Sequence, residues 1–161
     1  MNDPEGFFSS RRVAILGLGL MGGSLALALR GRVAELQAAD PDPATRALAL
    51  EHQVVDRIAA HPLDIVHQAD VIILAAPVQV ILEHIRLLGD QYRPSPQLAG
   101  SHGPGNTIVL DLGSTKQAIV EAMKTLPEAF DPLGAHPMCG KETSGLAHAD
   151  AAIFRGASFA F

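Results

Sequence analysis

Apolar residues fall along this chain in short continuous runs, each closed by glycine, proline or a charged residue and followed by a stretch rich in Ala and Leu. Arg12–Gly17 (RVAILG) is the first run, and its unbroken apolarity reads as a strand buried on both faces. Leu20–Arg30 has the composition of a helix, with Gly31 as its stop. Val33–Ala39 is a second apolar segment closing on Asp40, and Pro43, suited to a first helical position, opens a helix Pro43–Glu51. Val54–Ala59 reads as a short strand and Pro62–Gln68 as a turn or two of helix. Val71–Pro77 (VIILAAP) is another buried strand, followed by a helix from Val78 to about Leu88. Thr107–Gly113 is a further strand, after which Ser114 is expected to cap a helix Thr115–Leu126. Leu133–Ala135 reads as a brief strand, Thr143–Phe154 as a helix and Ala157–Phe161 as a last strand.

Strands alternating with helices predict an α/β fold with a doubly wound, mostly parallel sheet. Residues 1–11 read as a flexible polar tail, and residues 12–161 as a single domain. Gly89–Asn106, rich in Pro, Gly and Ser, is longer than the usual αβ connection and reads as a mobile surface insertion.

Composition narrows the function classes. A chain of 161 residues suits one domain, and 48% apolar content with 4% aromatic and no Trp makes its core aliphatic. The net charge of −5 and the absence of any basic cluster beyond Arg11-Arg12 argue against a nucleic-acid partner. Cys139 is the only cysteine, which excludes an internal disulfide and a cysteine zinc site. The first residues, MNDPEGFFSSRR, lack the apolar stretch of a signal peptide, and no run approaches the ~18 residues of a membrane span. The chain therefore reads as cytosolic.

Gly17-Leu18-Gly19-Leu20-Met21-Gly22 fits G-x-G-x-x-G, placed after a strand and opening a helix, where a dinucleotide needs it. Gly17 permits the tight turn, Gly19 lets a pyrophosphate approach the backbone, and Gly22 lets helix and strand pack closely. Leu20 and Met21 begin the helix whose free N–H groups face the phosphates, and Ser24 is expected to donate its hydroxyl there. Asp40 closes the second strand roughly 20 residues beyond the glycines, where an acid holds the adenosine ribose. The alternative is that Asp40 only caps the next helix. Asp40 and Asp42 together would repel a 2′-phosphate, which favours NAD over NADP, although Arg46 lies close by. Ala75, Ala76 and Pro77 end a neighbouring strand and leave room for a nicotinamide riboside, with Ser114 and His136 flanking the ring. The remaining histidines show no metal-ligand spacing, and no metal is expected.

Three segments, GLGLMGGSLA, DLGSTK and above all GAHPMCGKETSG (Gly134–Gly145), resemble the prephenate/arogenate dehydrogenase family of tyrosine biosynthesis. The resemblance runs from about Arg12 to Phe161, and the HPM-x-G-x-E-x-SG string is far more specific than the glycines. It implies a Rossmann-like domain and oxidative decarboxylation of prephenate or arogenate, with NAD(P)+ as hydride acceptor. By it His136 matches the catalytic histidine and Ser114 the serine that hydrogen-bonds in the active site. It also implies a following helical domain that completes the substrate pocket, supplies an arginine for a substrate carboxylate and forms a homodimer. The chain is expected to lack that domain, and so to bind dinucleotide but turn over slowly or not at all.

The chemistry suits the residue types. A ring hydroxyl must lose its proton as hydride leaves the carbon bearing it, and a neutral imidazole accepts that proton near pH 7. Lys116 is expected as an exposed first-turn lysine, Cys139 as an unactivated thiol, and Glu142, Thr143 and Ser144 as shapers of the next helix. Two other classes fit the glycine loop. A β-hydroxyacid-type dehydrogenase shares the opening but relies on a later lysine and lacks the His136 segment. A non-catalytic NAD-binding module needs only the cofactor half.

Overall fold

The computed structural model describes Gly6, Phe8–Tyr92 and Asn106–Ala160. Its frame is a six-stranded parallel sheet of β1 (Arg12–Leu16), β2 (Glu35–Ala39), β3 (Arg57–Ala59), β4 (Val71–Leu74), β5 (Thr107–Asp111) and β6 (Phe130–Gly134). They lie in the order β3-β2-β1-β4-β5-β6. The chain winds outward from β1 to β3, crosses back, and winds the other way from β4 to β6. That reversal leaves a crevice between the carboxyl ends of β1 and β4.

Alternation along the strands sends side chains into two core layers. Ala14, Leu16, Ile72 and Leu74 pack on one face against Ile65 of α3 (Leu63–Val66), Ile81 and Ile85 of α4 (Val78–Gln91), and Ile119 of α5 (Gln117–Met123). Val13, Ile15, Ala38 and Ile73 face the other way, onto Ala26 and Leu29 of α1 (Leu20–Leu29) and Ala49 of α2 (Pro43–Glu51). Both layers are aliphatic, as the composition requires. The ring of Tyr92, 4.5 Å from that of Phe130, closes the lower end of one of them.

Local chemistry sets the element ends. Gly31, at φ +68°, follows α1. Asp42 caps α2 by accepting from Ala44 and Thr45 N–H, with Pro43 in the first turn. The Thr45 hydroxyl donates to the same carboxylate at 2.8 Å, and these bonds hold Asp42 below the usual carboxylate range. β6 begins at Phe130, ahead of the expected Leu133, and carries Pro132, which an edge strand tolerates. Of the expected Gly89–Asn106 connection, Gly89–Gln91 complete α4, and residues 93–105 lie outside the described residues. Gly6 accepts from the hydroxyls of Ser9 and Ser10, and Arg11 N–H donates to Phe8.

Two expected helices are corrected. The segment Thr143–Phe154 forms two single 3-10 turns, Leu146–His148 and Ala151–Phe154. Gly145, at φ +86°, blocks helix before the first, and Asp150, extended at φ −152°, separates the two and caps the second. The helix after β5 runs only from Gln117 to Met123, with Lys116 rather than Ser114 at its cap position and no side-chain cap. His136–Pro137 (β7) pairs antiparallel with Phe159–Ala160 (β8) in a separate two-stranded sheet.

Candidate active site

The ladder hydrogen bonds continue past the strand ends and bring the loops into a row. Gly17 N–H donates to Ala39 at 2.8 Å, Ala75 N–H to Leu16 at 2.9 Å, Leu112 N–H to Leu74 at 3.0 Å and Ala135 N–H to Asp111 at 3.2 Å. Every sequence-predicted strand-end residue therefore starts from the same edge of the sheet.

The three glycines divide the work as their spacing suggests. Gly17 sits at φ +101°, and a Cβ there would lie 2.7 Å from the Ala75 carbonyl oxygen. A Cβ on Gly22 would lie 1.9 Å from the Gly17 carbonyl oxygen, so helix and loop touch through hydrogen alone. Gly19, by contrast, has nothing within 4 Å of a would-be Cβ. That open face is where a ligand can meet the backbone. Leu20 and Met21 open α1, whose N-terminus has no side-chain cap and no acid in its first turn. Its unpaired N–H groups and positive dipole end suit an anion.

Asp40 is not the cap of α2, since Asp42 holds that post. Its Oδ2 accepts from Leu18 N–H at 2.9 Å and its Oδ1 from Asp42 N–H at 3.0 Å, which fixes the carboxylate beside the glycine loop. Arg46 is turned to the main chain: Nη1 donates to the carbonyls of Asp40 at 2.9 Å and Pro41 at 2.7 Å. A cleft of about 490 Å³ collects Gly17, Gly19, Asp40, Ala75, Ala76 and Pro77. Sequence reasoning missed other residues of its wall, among them His61, Pro62, Glu83 and His84. Val80 and His84 are one helical turn apart and also line it, a spacing that was there to be read. Burial pushes the His84 imidazole below its ordinary value, with Glu83 opposing, so His84 is neutral at pH 7.

Ser24 is corrected. It is fully buried, and its hydroxyl oxygen accepts from Asp150 N–H at 2.9 Å. The small residues after the glycine loop thus receive the segment that follows the histidine: a Cβ on Gly23 would lie 2.4 Å from Leu146 Cδ1. Lys141 pairs with Asp150 at 3.0 Å and ties the near end of the same segment to it.

His136 stands just beyond β6, outside the 490 Å³ cleft and half-buried. Its Nδ1 is buried without a hydrogen-bond partner, which leaves Nε2 as the nitrogen available for proton transfer. Ser114 is exposed and makes no hydrogen bond to that buried nitrogen. Met138, beside the histidine, is 64% exposed. Burial raises the Cys139 thiol above its ordinary value, so it is not a thiolate at neutral pH. Lys116 is not a free surface lysine. Its ammonium pairs with the buried carboxylate of Asp111 and donates to Ala135 O at 2.5 Å. Among the described residues no group of three or more His, Cys, Asp or Glu is placed to hold a metal, and no helix is long and apolar enough to cross a membrane.

Strand order, a glycine loop at the switch point and an acid directly after β2 define an α/β dinucleotide-binding domain, here with a histidine just beyond β6. The family model for the nucleotide-binding domain of prephenate dehydrogenase matches residues 24–161, and the chain belongs to that family. It is 33% identical over 153 residues to the prephenate dehydrogenase of Bacillus subtilis, covering 91% of this chain and 38% of that protein. The crystal structure of Aquifex aeolicus prephenate dehydrogenase in complex with hydroxyphenyl propionate and NAD+ superposes with a TM-score of 0.77 at 26% identity. That match covers 95% of this chain and 50% of the other. Synechocystis arogenate dehydrogenase gives 0.76 at 32% identity, covering 92% and 48%. The chain thus spans half or less of the length of these relatives.

Proposed function

We propose that this chain is the NAD-binding, base-bearing part of a prephenate or arogenate dehydrogenase. The observation that carries the reading is that the open Gly19 face, the fixed Asp40 carboxylate and His136 all follow carboxyl ends of strands in one parallel sheet. The residues fit the cofactor. Uncapped N–H groups of α1 and the bare face of Gly19 suit a pyrophosphate, and Asp40 retains lone pairs for the ribose hydroxyls. Asp40 and Asp42 disfavour a 2′-phosphate, and Arg46 is occupied by main-chain oxygens at Nη1, which supports NAD over NADP. When bound, NAD+ supplies the hydride acceptor.

His136 accepts at Nε2 the proton of the ring hydroxyl as the C–H bond on the same carbon gives up its hydride and the carbonyl forms. The bond from the ring to the carboxylate then breaks, CO2 leaves, and the electron pair aromatises the ring to a phenol, which recovers a proton on oxygen. General-base assistance of this kind contributes about 10²–10⁴ in rate. Ser114, exposed in the loop after β5, offers its hydroxyl to the substrate oxygen or to the imidazole at Nε2. Ala75 and Ala76 keep the cleft wall low beside the nicotinamide. A helical second domain would complete the pocket and the dimer.

The natural full-length polypeptide, given NAD+ with prephenate or with arogenate, is expected to form reduced nicotinamide and CO2. His136→Asn should lower kcat by about a hundredfold or more and leave NAD+ affinity intact. Turnover of neither substrate, or near-normal turnover in His136→Asn, overturns the reading.

A further inference from the structure

Asp111 ends β5 with its side chain wholly buried. Its Oδ1 accepts from Gly113 N–H at 2.9 Å and from the Lys116 ammonium, while Oδ2 is buried with no partner. Glycines flank it closely: a Cβ on Gly113 would lie 3.1 Å from Oδ1, and one on Gly134 3.5 Å from Oδ2. A carboxylate so enclosed needs a cation, and Lys116 supplies it from the cap position of α5, where the helix dipole itself disfavours a positive charge.

The second bond of that ammonium gives the arrangement a use. Lys116 Nζ also donates to the carbonyl of Ala135, the residue joined by its peptide bond to His136. The N–H of Ala135 meanwhile donates to the Asp111 carbonyl. Ala135 is therefore gripped at both main-chain groups by the end of β5, once directly and once through Lys116. Beyond it the loop has a short ladder of its own, the two-residue pairing of β7 with β8 extended by Met138 N–H donating to Ser158 at 2.8 Å.

We propose that Lys116, seated on Asp111, is a positioning residue for the proposed base: it fixes the peptide that carries His136 to the end of β5. The proposal concerns the placing of His136 and rests on the functional reading only for its catalytic consequence.

The test compares Lys116→Met with the charge-neutral pair Lys116→Met/Asp111→Asn. The single variant should lose thermal stability, because a buried carboxylate is left unpaired. The double variant should regain most of it. Positioning predicts that in both variants the His136 ring signal, followed by carbon–proton NMR on this chain, moves from its wild-type shift, and that Ala135 amide exchange quickens by at least about tenfold. In the natural full-length polypeptide, kcat should then fall by about tenfold or more in the stable double variant, with KM for NAD+ within about twofold. An unmoved His136 signal, or a double variant that regains wild-type kcat along with stability, overturns the proposal and leaves Lys116 as a charge-neutralising partner alone. If the unaltered protein turns over neither prephenate nor arogenate, the functional reading fails while the NMR arm still decides the positioning claim.

Discussion

The glycine loop after β1 and the histidine loop after β6 lie on one sheet edge, yet they are held in different ways. The first is fixed by the sheet itself: Gly17 continues the ladder to Ala39, Leu18 N–H is held by Asp40, and glycine contacts leave no slack between loop and helix. The second is fixed by reach. A lysine at the cap position of α5, a serine on α1 and a two-residue strand pair secure a segment that otherwise consists of turns. The cofactor half is a property of the doubly wound fold, whereas the base half is an attachment to it. The proposed function requires both, so damage to each should read out differently.

The largest expected effect falls on the cofactor half. Gly17→Ala forces a side chain into a left-handed conformation, at a cost of about 1–2 kcal/mol, and drives its Cβ against the Ala75 carbonyl. Thermal denaturation should show at least that loss, and calorimetric NAD+ affinity should drop by about tenfold or more, equivalent to ~1.4 kcal/mol. Unchanged affinity would mean that the ladder does not set the loop. Gly23→Ala tests the attachment instead. Its Cβ would meet Leu146 Cδ1 and Ala149 Cβ, so the turns must lift from α1 at a cost of about 1 kcal/mol. Faster exchange of the Asp150 amide with NAD+ affinity kept within about twofold would sharpen the contrast. Loss of NAD+ binding instead would join the two halves into one unit.

The smallest effect concerns the cleft wall. The folded protein holds His84 below its ordinary value of 6.5 by burial. The unfolded chain therefore binds the proton more readily, and the stability that neutral His84 contributes is present above pH 6.5 and lost as pH falls through its folded value. A melting series from pH 7 to pH 5 should show this decline. His84→Gln should flatten that part of the curve, and an unaltered slope would assign the decline to other groups.

How far the sequence could be read follows the same division. α2 runs from Pro43 to Glu51 as its composition predicts, because its signals, a capping Asp42 and a proline at the first position, are local. The strands β1, β4 and β5 were legible because buried parallel strands are continuous apolar runs. The glycines were legible because their spacing encodes contacts within one strand–turn–helix unit. The histidine loop was legible only as a motif. An Ala-rich stretch from Thr143 to Phe154 reads as helix, but Gly145 and the extended Asp150 break it into turns that gain stability by packing on α1. Ser24 looked like a phosphate ligand because nothing in its neighbourhood shows that Asp150, far along the chain, will occupy it. Lys116 looked exposed for the same reason: its partners belong to two neighbouring strand ends, and only the register of β5 with β6 brings them together.

The central claim is that the cofactor half is complete in these residues while the base half depends on what reaches it. Titration of the 161-residue chain with NAD+ and NADP+ by calorimetry tests it most directly. The account predicts saturable 1:1 binding of NAD+, at least about tenfold tighter than NADP+, with an Asp40→Asn variant that loses most of that preference. No measurable binding of NAD+ to the folded chain, or tighter binding of NADP+, would contradict it.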